Sequence, residues 1–217
     1  MGGYMLIKDV MTKNPITVEP KATILEATEL MKKNNIKKLP VLDKSGALVG
    51  IITENDLQKA APSEATTLDM YELTYLLSKL TVEKTMTKNV VTVSADETVE
   101  EAARIMSDGD FGCLPVMKDN LLVGIITDSD LFRMFIEMFS ARVHGIRAVV
   151  KMSDKSGSLS VFCQKIAMAG GIIVSCITTE DENPEYRKVT VKSTNISLQT
   201  CKEICEQSGT VEDIREV

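Results

Sequence analysis

One eight-residue stretch occurs twice in this chain, and the duplication limits what it can fold into more than any other feature. Gly50-Ile51-Ile52-Thr53-Glu54-Asn55-Asp56-Leu57 returns as Gly124-Ile125-Ile126-Thr127-Asp128-Ser129-Asp130-Leu131, a shift of 124 − 50 = 74 residues. Upstream, Met11-Thr12-Lys13-Asn14 matches Met86-Thr87-Lys88-Asn89, and Leu39-Pro40-Val41 matches Leu114-Pro115-Val116, both at a shift of 75. The shift changes near Asp43-Lys44-Ser45-Gly46, where a hairpin turn absorbs a one-residue deletion. Self-similarity on this scale means two copies of one folding unit.

Each copy predicts strand, helix, strand, strand, helix. Thr17-Val18 and Thr92-Val93 are short β-branched runs. Thr23 with Glu26, and Thr98 with Glu101, have capping-box spacing. Ile24, Ala27, Leu30 and Met31 then share one helical face, as do Val99, Ala102, Ala103 and Met106. The Leu-Pro-Val and Val-Gly-Ile-Ile runs form a hairpin. At its end a threonine is followed three residues on by an aspartate, where the last helix starts. This corner gathers a hydroxyl, a carboxylate and free backbone N–H groups, which suits a ribose and its phosphate. The same spacing is that of a helix cap, in which Thr53 with Asp56, and Thr127 with Asp130, only satisfy backbone donors. Both readings stay open in the sequence.

The repeat resembles a tandem pair of CBS domains, the Bateman module, on its Met-Thr leader, its Leu-Pro-Val strand and its Gly-Ile-Ile-Thr-x-x-Asp corner, each present twice. The resemblance implies a pseudo-two-fold pair with a cleft for an adenosine-containing regulatory ligand: AMP, ADP, ATP or S-adenosylmethionine, with no obligatory cofactor. It implies that Asp56 and Asp130 grip the ribose diol, with Asn55 and Ser129 as short polar partners. Thr53 and Thr127 would contact the sugar or α-phosphate, and Ile51 and Ile125 would pack on the base. Ile16 and Val91 would line the adenine slot in crossed fashion, Ile16 serving the Asp130 site and Val91 the Asp56 site; ordinary core is the other reading for both. Phosphates call for cations. Lys37 and Lys38 precede the first Leu-Pro-Val, whereas Gly112-Cys113 precede the second, which predicts one well-formed site with Lys37 or Lys38 shared across the cleft. The two lysines also fit a solvated helix end.

Between the copies, Leu68, Met70, Leu73, Leu76, Leu77 and Leu80 have near-helical spacing and predict a helix over 64–79. A stripe of Leu131, Met134, Phe135, Met138 and Phe139 leaves the second copy, as either a dimerisation face or a core seam. From Gly145 the pattern reads β-α-β-β-α-β, the order of a ferredoxin-like domain. This stretch is similar to an ACT domain, a module that often binds amino acids at a subunit interface. The similarity implies ligand contacts at Asp154 and Gly157, although Ser156 stands where a proline is common. The expected organisation is α+β: a CBS domain over 1–62, a helical linker over 63–82, a second CBS domain over 83–143 and an ACT-like domain over 144–217. A CBS pair followed by an ACT-like domain resembles the acetoin-utilisation regulatory proteins, and Leu77-Ser78-Lys79-Leu80 fits that group.

Composition narrows the function. A net charge of −6 without a basic patch argues against nucleic acid. No apolar run approaches the ~18 to 20 residues of a membrane span, and the start lacks a signal-peptide layout. Five cysteines without scaffold spacing indicate a reducing cytoplasm. Cys201 and Cys205 lie one helical turn apart, but with a single histidine, His144, the chain is short of metal ligands. No Walker loop, Gly-x-Ser-x-Gly or His-Glu-x-x-His occurs. The expectation is a non-catalytic, cytoplasmic, homodimeric sensor of an adenosyl compound, acting on an enzyme or a transcriptional partner. An amino-acid sensor working through the ACT-like domain, or an interaction subunit that needs no ligand, are the alternatives.

Overall fold

The computed structural model describes residues 6–60 and 79–217, and the chain divides into two compact units, 1–131 and 132–217. The helix expected over 64–79, with Leu68, Met70, Leu73, Leu76 and Leu77, lies outside the described residues except at Lys79. Among the described residues no helix is long and apolar enough to cross a membrane.

In the first unit the first repeat comprises α1 (Ile7–Val10), β1 (Thr12–Lys13), α2 (Ile24–Asn34), β2 (Lys38–Leu42), β3 (Leu48–Thr53) and α3 (Glu54–Ala60). The second comprises α4 (Val82–Thr85), β4 (Val93–Ser94), α5 (Val99–Gly109), β5 (Cys113–Lys118), β6 (Leu121–Thr127) and α6 (Asp128–Met138). Both long helices start at a threonine. Thr23 forms a full capping box, since its hydroxyl accepts the Glu26 N–H at 3.2 Å and its own N–H donates to Glu26 at 2.7 Å. The box expected at Thr98 is only half made. Its hydroxyl accepts the Glu101 N–H, but the Glu101 carboxylate turns to Arg104 at 2.6 and 2.8 Å, where a guanidinium offers two donors. Both helices stop at a left-handed residue, Asn35 (φ 51°) and Asp110 (φ 52°), types whose short polar side chains tolerate that region. Ile24, Ala27 and Met31, like Val99, Ala102 and Met106, are buried as their spacing requires.

The two hairpins share one register. Lys38 faces Thr53 and Leu39 faces Ile52 in the first; Cys113 faces Thr127 and Leu114 faces Ile126 in the second. Each carries a bulge near the turn. The leaders cross. β1 pairs with β6, Thr12 opposite Ile125, while Thr87 exchanges two 2.9 Å backbone hydrogen bonds with Ile51 of β3. α1 likewise hydrogen-bonds the backbone of the second repeat, Ile7 N–H to Glu97, and α4 that of the first, Val82 N–H to Ala22. Val82 therefore completes the core of the first repeat, with Val18, Ile24, Ala27, Met31, Leu39, Val41, Ile52 and Leu57. A methionine follows each leader helix onto a glycine. A Cβ on Gly50 would lie 2.3 Å from the Met86 sulfur, and one on Gly124 as close to the Met11 sulfur, so a side chain at either position would displace the methionine packed on it.

The second unit adds β7 (Ile146–Ser153), α7 (Ser158–Met168), β8 (Ile172–Glu180), β9 (Tyr186–Thr194), α8 (Leu198–Glu206) and β10 (Thr210–Glu216). Its antiparallel sheet has the order β10-β7-β9-β8. β7 alternates, burying Ile146, Ala148, Val150 and Met152 against Phe162 and Ile166 of α7 and Cys201, Ile204 and Cys205 of α8. The cysteine pair one turn apart thus fills core. The boundary between units falls within α6, where Met134 is buried and Phe132, Phe135 and Met138 are exposed.

Candidate ligand cleft

Both Thr-x-x-Asp corners are built as caps. Asp56 Oδ2 accepts the Thr53 N–H at 2.9 Å and the Thr53 hydroxyl at 2.7 Å, and Asp130 Oδ2 accepts both groups of Thr127 at 2.8 Å. The free N–H groups expected there are largely spent. Besides the threonine N–H groups, Glu54 N–H donates to Lys37 at 2.8 Å and Asp128 N–H to Gly112 at 3.2 Å. Ser129 N–H donates to Asp128 Oδ1 at 2.7 Å. The reason is the hairpin itself, whose neighbouring strand start presents carbonyls to the corner. A carboxylate offers about four acceptor sites, so capping and holding a diol are compatible.

The corners differ in exposure. Asp130 is 4% exposed, whereas Asp56 is half-buried. Ile51 and Ile125 are buried at the paired leaders. Ile16 and Val91, equivalent at a shift of 75, are 37% and 40% exposed, so neither is ordinary core. The leader before Ile16 runs along β6, the strand that ends in Thr127, and Asn14 N–H continues the ladder to Val123 at 3.1 Å. The leader before Val91 is bridged to β3, which ends in Thr53. Asn55 and Ser129 are exposed on the first turns of their helices.

The two lysines part company. Lys37 pairs with Glu54 at 3.3 Å and is 77% exposed. Lys38, only 21% exposed, crosses to the second repeat, where its ammonium donates to the Gly112 carbonyl and lies 3.6 Å from Asp128. Cys113 occupies the equivalent place in the second repeat, and burial pushes its thiol up, against the opposing pull of Lys38. Asp128 and Gly112 escaped the sequence reading as partners of Lys38, although the mismatch between Lys37-Lys38 and Gly112-Cys113 was its signal. In the second unit Asp154 is held by Arg187 at 3.1 and 3.2 Å, which raises the guanidinium pKa further, and Gly157 caps α7 at φ 88°.

Comparison with known proteins gives one consistent picture. Residues 7–63 and 82–137 match the family described as CBS domain. L-aspartate semialdehyde sulfurtransferase of Methanocaldococcus jannaschii is 38% identical over 131 residues, 60% of this chain but only 23% of that enzyme's length. The CBS domain pair of protein MJ0100, solved with 5′-methylthioadenosine and S-adenosyl-L-methionine, is 37% identical with a TM-score of 0.51, covering 61% of this chain and 97% of that one. An acetoin utilization protein, AcuB, from Vibrio cholerae is 31% identical with a TM-score of 0.52, over 63% and 94% of the two chains. CBSX2, solved with AMP, is 32% identical with a TM-score of 0.50, over 62% and 97%.

Proposed function

Since this chain belongs to the CBS-domain family and carries the domain in tandem, we propose that it is a non-catalytic sensor of an adenosyl compound, held between the repeats. The reading is supported by the crossed leader: the segment before Ile16, an exposed apolar residue, pairs with β6, the strand of the other repeat that ends at the corner of the buried Asp130. A diol acceptor and a base platform then come from different repeats, so ligand binding is coupled to how the repeats pack. Asp56 and Val91 hold the equivalent places, the leader before Val91 being bridged to β3. Thr53, Thr127, Ile51 and Ile125 support sugar and base, and Asn55, Ser129 and Lys38 border the site. A ligand shifts such packing only by its differential affinity, and a tenfold preference supplies about 1.4 kcal/mol.

The second unit is read as a ferredoxin-like ACT-type domain, a reading supported by its element order and its β10-β7-β9-β8 sheet. In this proposal the signal passes along α6 to a homodimer and from there to an enzyme or transcriptional partner, as in an acetoin-utilisation regulator. Amino-acid binding at Asp154 and Gly157 is the second reading; it requires a ligand carboxylate to displace Asp154 from Arg187. Isothermal titration with adenosyl compounds and with amino acids tests both. Saturable adenosyl binding lost in Asp130→Ala supports the first, and heat from amino acids alone would replace it with the second.

A further inference from the structure

We propose that Cys163 and Cys176 form a redox pair, which a low-molecular-weight disulfide oxidises to an intrachain bridge tying α7 to β8. Both residues lie in the second unit, and the adenosyl reading plays no part in the proposal. Cys163 follows Phe162, whose ring is wholly buried in the core under α7, and α7 packs against β8. Cys176 is brought to the same side by its register. It pairs with Val191, a wholly buried residue on the helix-covered face of the sheet, and residues paired on antiparallel strands share a face. The bulge between Ile173 and Ser175 resets the alternation, so Ile173 also reaches that face and packs on the same core. Ser175 and Lys192, the next pair along, point the other way and hold Phe139 and Ser140 there.

β8 is an edge of its sheet, so a side chain there has a neighbouring strand on one side only. Cys176 is accordingly exposed and Cys163 half-buried, within reach of a small reagent. Cys201 and Cys205 are wholly buried, and Cys113 lies in the first unit. Burial and the neighbouring Cys163 thiol push the Cys176 thiol up to about 11. Cys176 is therefore the poorer nucleophile of the two, since the thiolate is the attacking form. The Cys163 thiolate opens the S–S bond of the reagent, forming a mixed disulfide and expelling one thiolate. Cys176, once deprotonated, attacks the Cys163 sulfur and expels the second. Each cysteine gives up one electron, the reagent gains two, and the two thiol protons end on the two released thiols.

The test is equilibration of the whole reduced chain with oxidised glutathione, then acid quenching, alkylation in denaturant and peptide mass analysis. Two thiols per chain should disappear, into one cross-linked peptide pair carrying Cys163 and Cys176, while Cys113, Cys201 and Cys205 stay free for alkylation. A bridge formed with α7 in place on β8 stabilises the second unit, whose melting temperature should rise by at least about 5 °C. Dithiothreitol should reverse the rise. Cys163→Ser and Cys176→Ser should each abolish both changes and take up at most one glutathione. Stable glutathionylation without a bridge, a bridge between Cys201 and Cys205 instead, or no reaction at all would overturn the proposal. So would a bridge between Cys163 and Cys176 that leaves the melting temperature unchanged or lower, since α7 and β8 must then part for the sulfurs to meet.

Discussion

The two repeats place equivalent backbone in equivalent register, yet they carry different chemistry at the same positions. Lys38 and Cys113 start matching strands, Lys37 and Gly112 precede them, and Asp56 and Asp130 end matching corners with different burial. The leader exchange is symmetric: Ile7 and Val82, at a shift of 75, are both fully buried. Symmetry therefore resides in the packing, where any loss would open a core. Asymmetry resides at the strand starts and corners, where a single side chain can change the charge without disturbing the fold.

The largest effects should come from breaking the shared part. Ile7→Ala and Val82→Ala should each destabilise the first unit, by about 3 and about 2 kcal/mol, because both side chains are wholly buried. Denaturant unfolding measures this, and a loss under 0.5 kcal/mol in either (about the scale of a surface change) would mean that the leader is not part of the opposite core. Next come the corners. Asp130→Ala should weaken adenosyl binding about a hundredfold and Asp56→Ala about tenfold, since the deeper carboxylate has less water to replace it; a hundredfold is about 2.7 kcal/mol. Titration of both variants decides it, and equal losses would show that exposure does not rank the sites. Each should also lose about 1 kcal/mol of stability with its cap.

A smaller effect separates the helix starts. Thr23→Ala removes a full capping box and should cost about 1 kcal/mol, whereas Thr98→Ala removes half of one and should cost about half as much. The Glu26 carboxyl is held below its ordinary value of 4.5 by the Thr23 N–H and hydroxyl. A depressed folded value means stabilisation that is complete above the unfolded value and lost as pH falls through the folded one. The Thr23→Ala difference should therefore shrink on acidification below about pH 4.5. Melting curves of the unaltered protein and the variant across that range would show it, and a difference independent of pH would assign the cap to the hydroxyl alone.

Much of this was legible locally. Helix starts at Thr23 and Thr98, the apolar faces beginning at Ile24 and Val99, and both hairpins follow from spacing of a few residues. The box at Thr98 was misjudged because Arg104, one turn further on, competes for Glu101. The sequence leaves the corners open to a cap or to a phosphate because spacing reveals Thr53 and Asp56 but not the Lys37 carbonyl that accepts from Glu54 N–H across the hairpin. Ile16 and Val91 looked equally suited to core and cleft, since apolar character carries no direction.

The sequence by itself determined the duplication, the class of each element and the chemical kinds gathered at the two corners, because these depend on side chains three or four positions apart. The tertiary structure alone decided that the leaders cross, that Lys38 reaches Gly112 and Asp128 while Lys37 turns to Glu54, and that Asp130 lies deeper than Asp56. Contacts such as Lys38 with Gly112 join residues 74 apart. No local pattern encodes them, since they exist only after both repeats have packed.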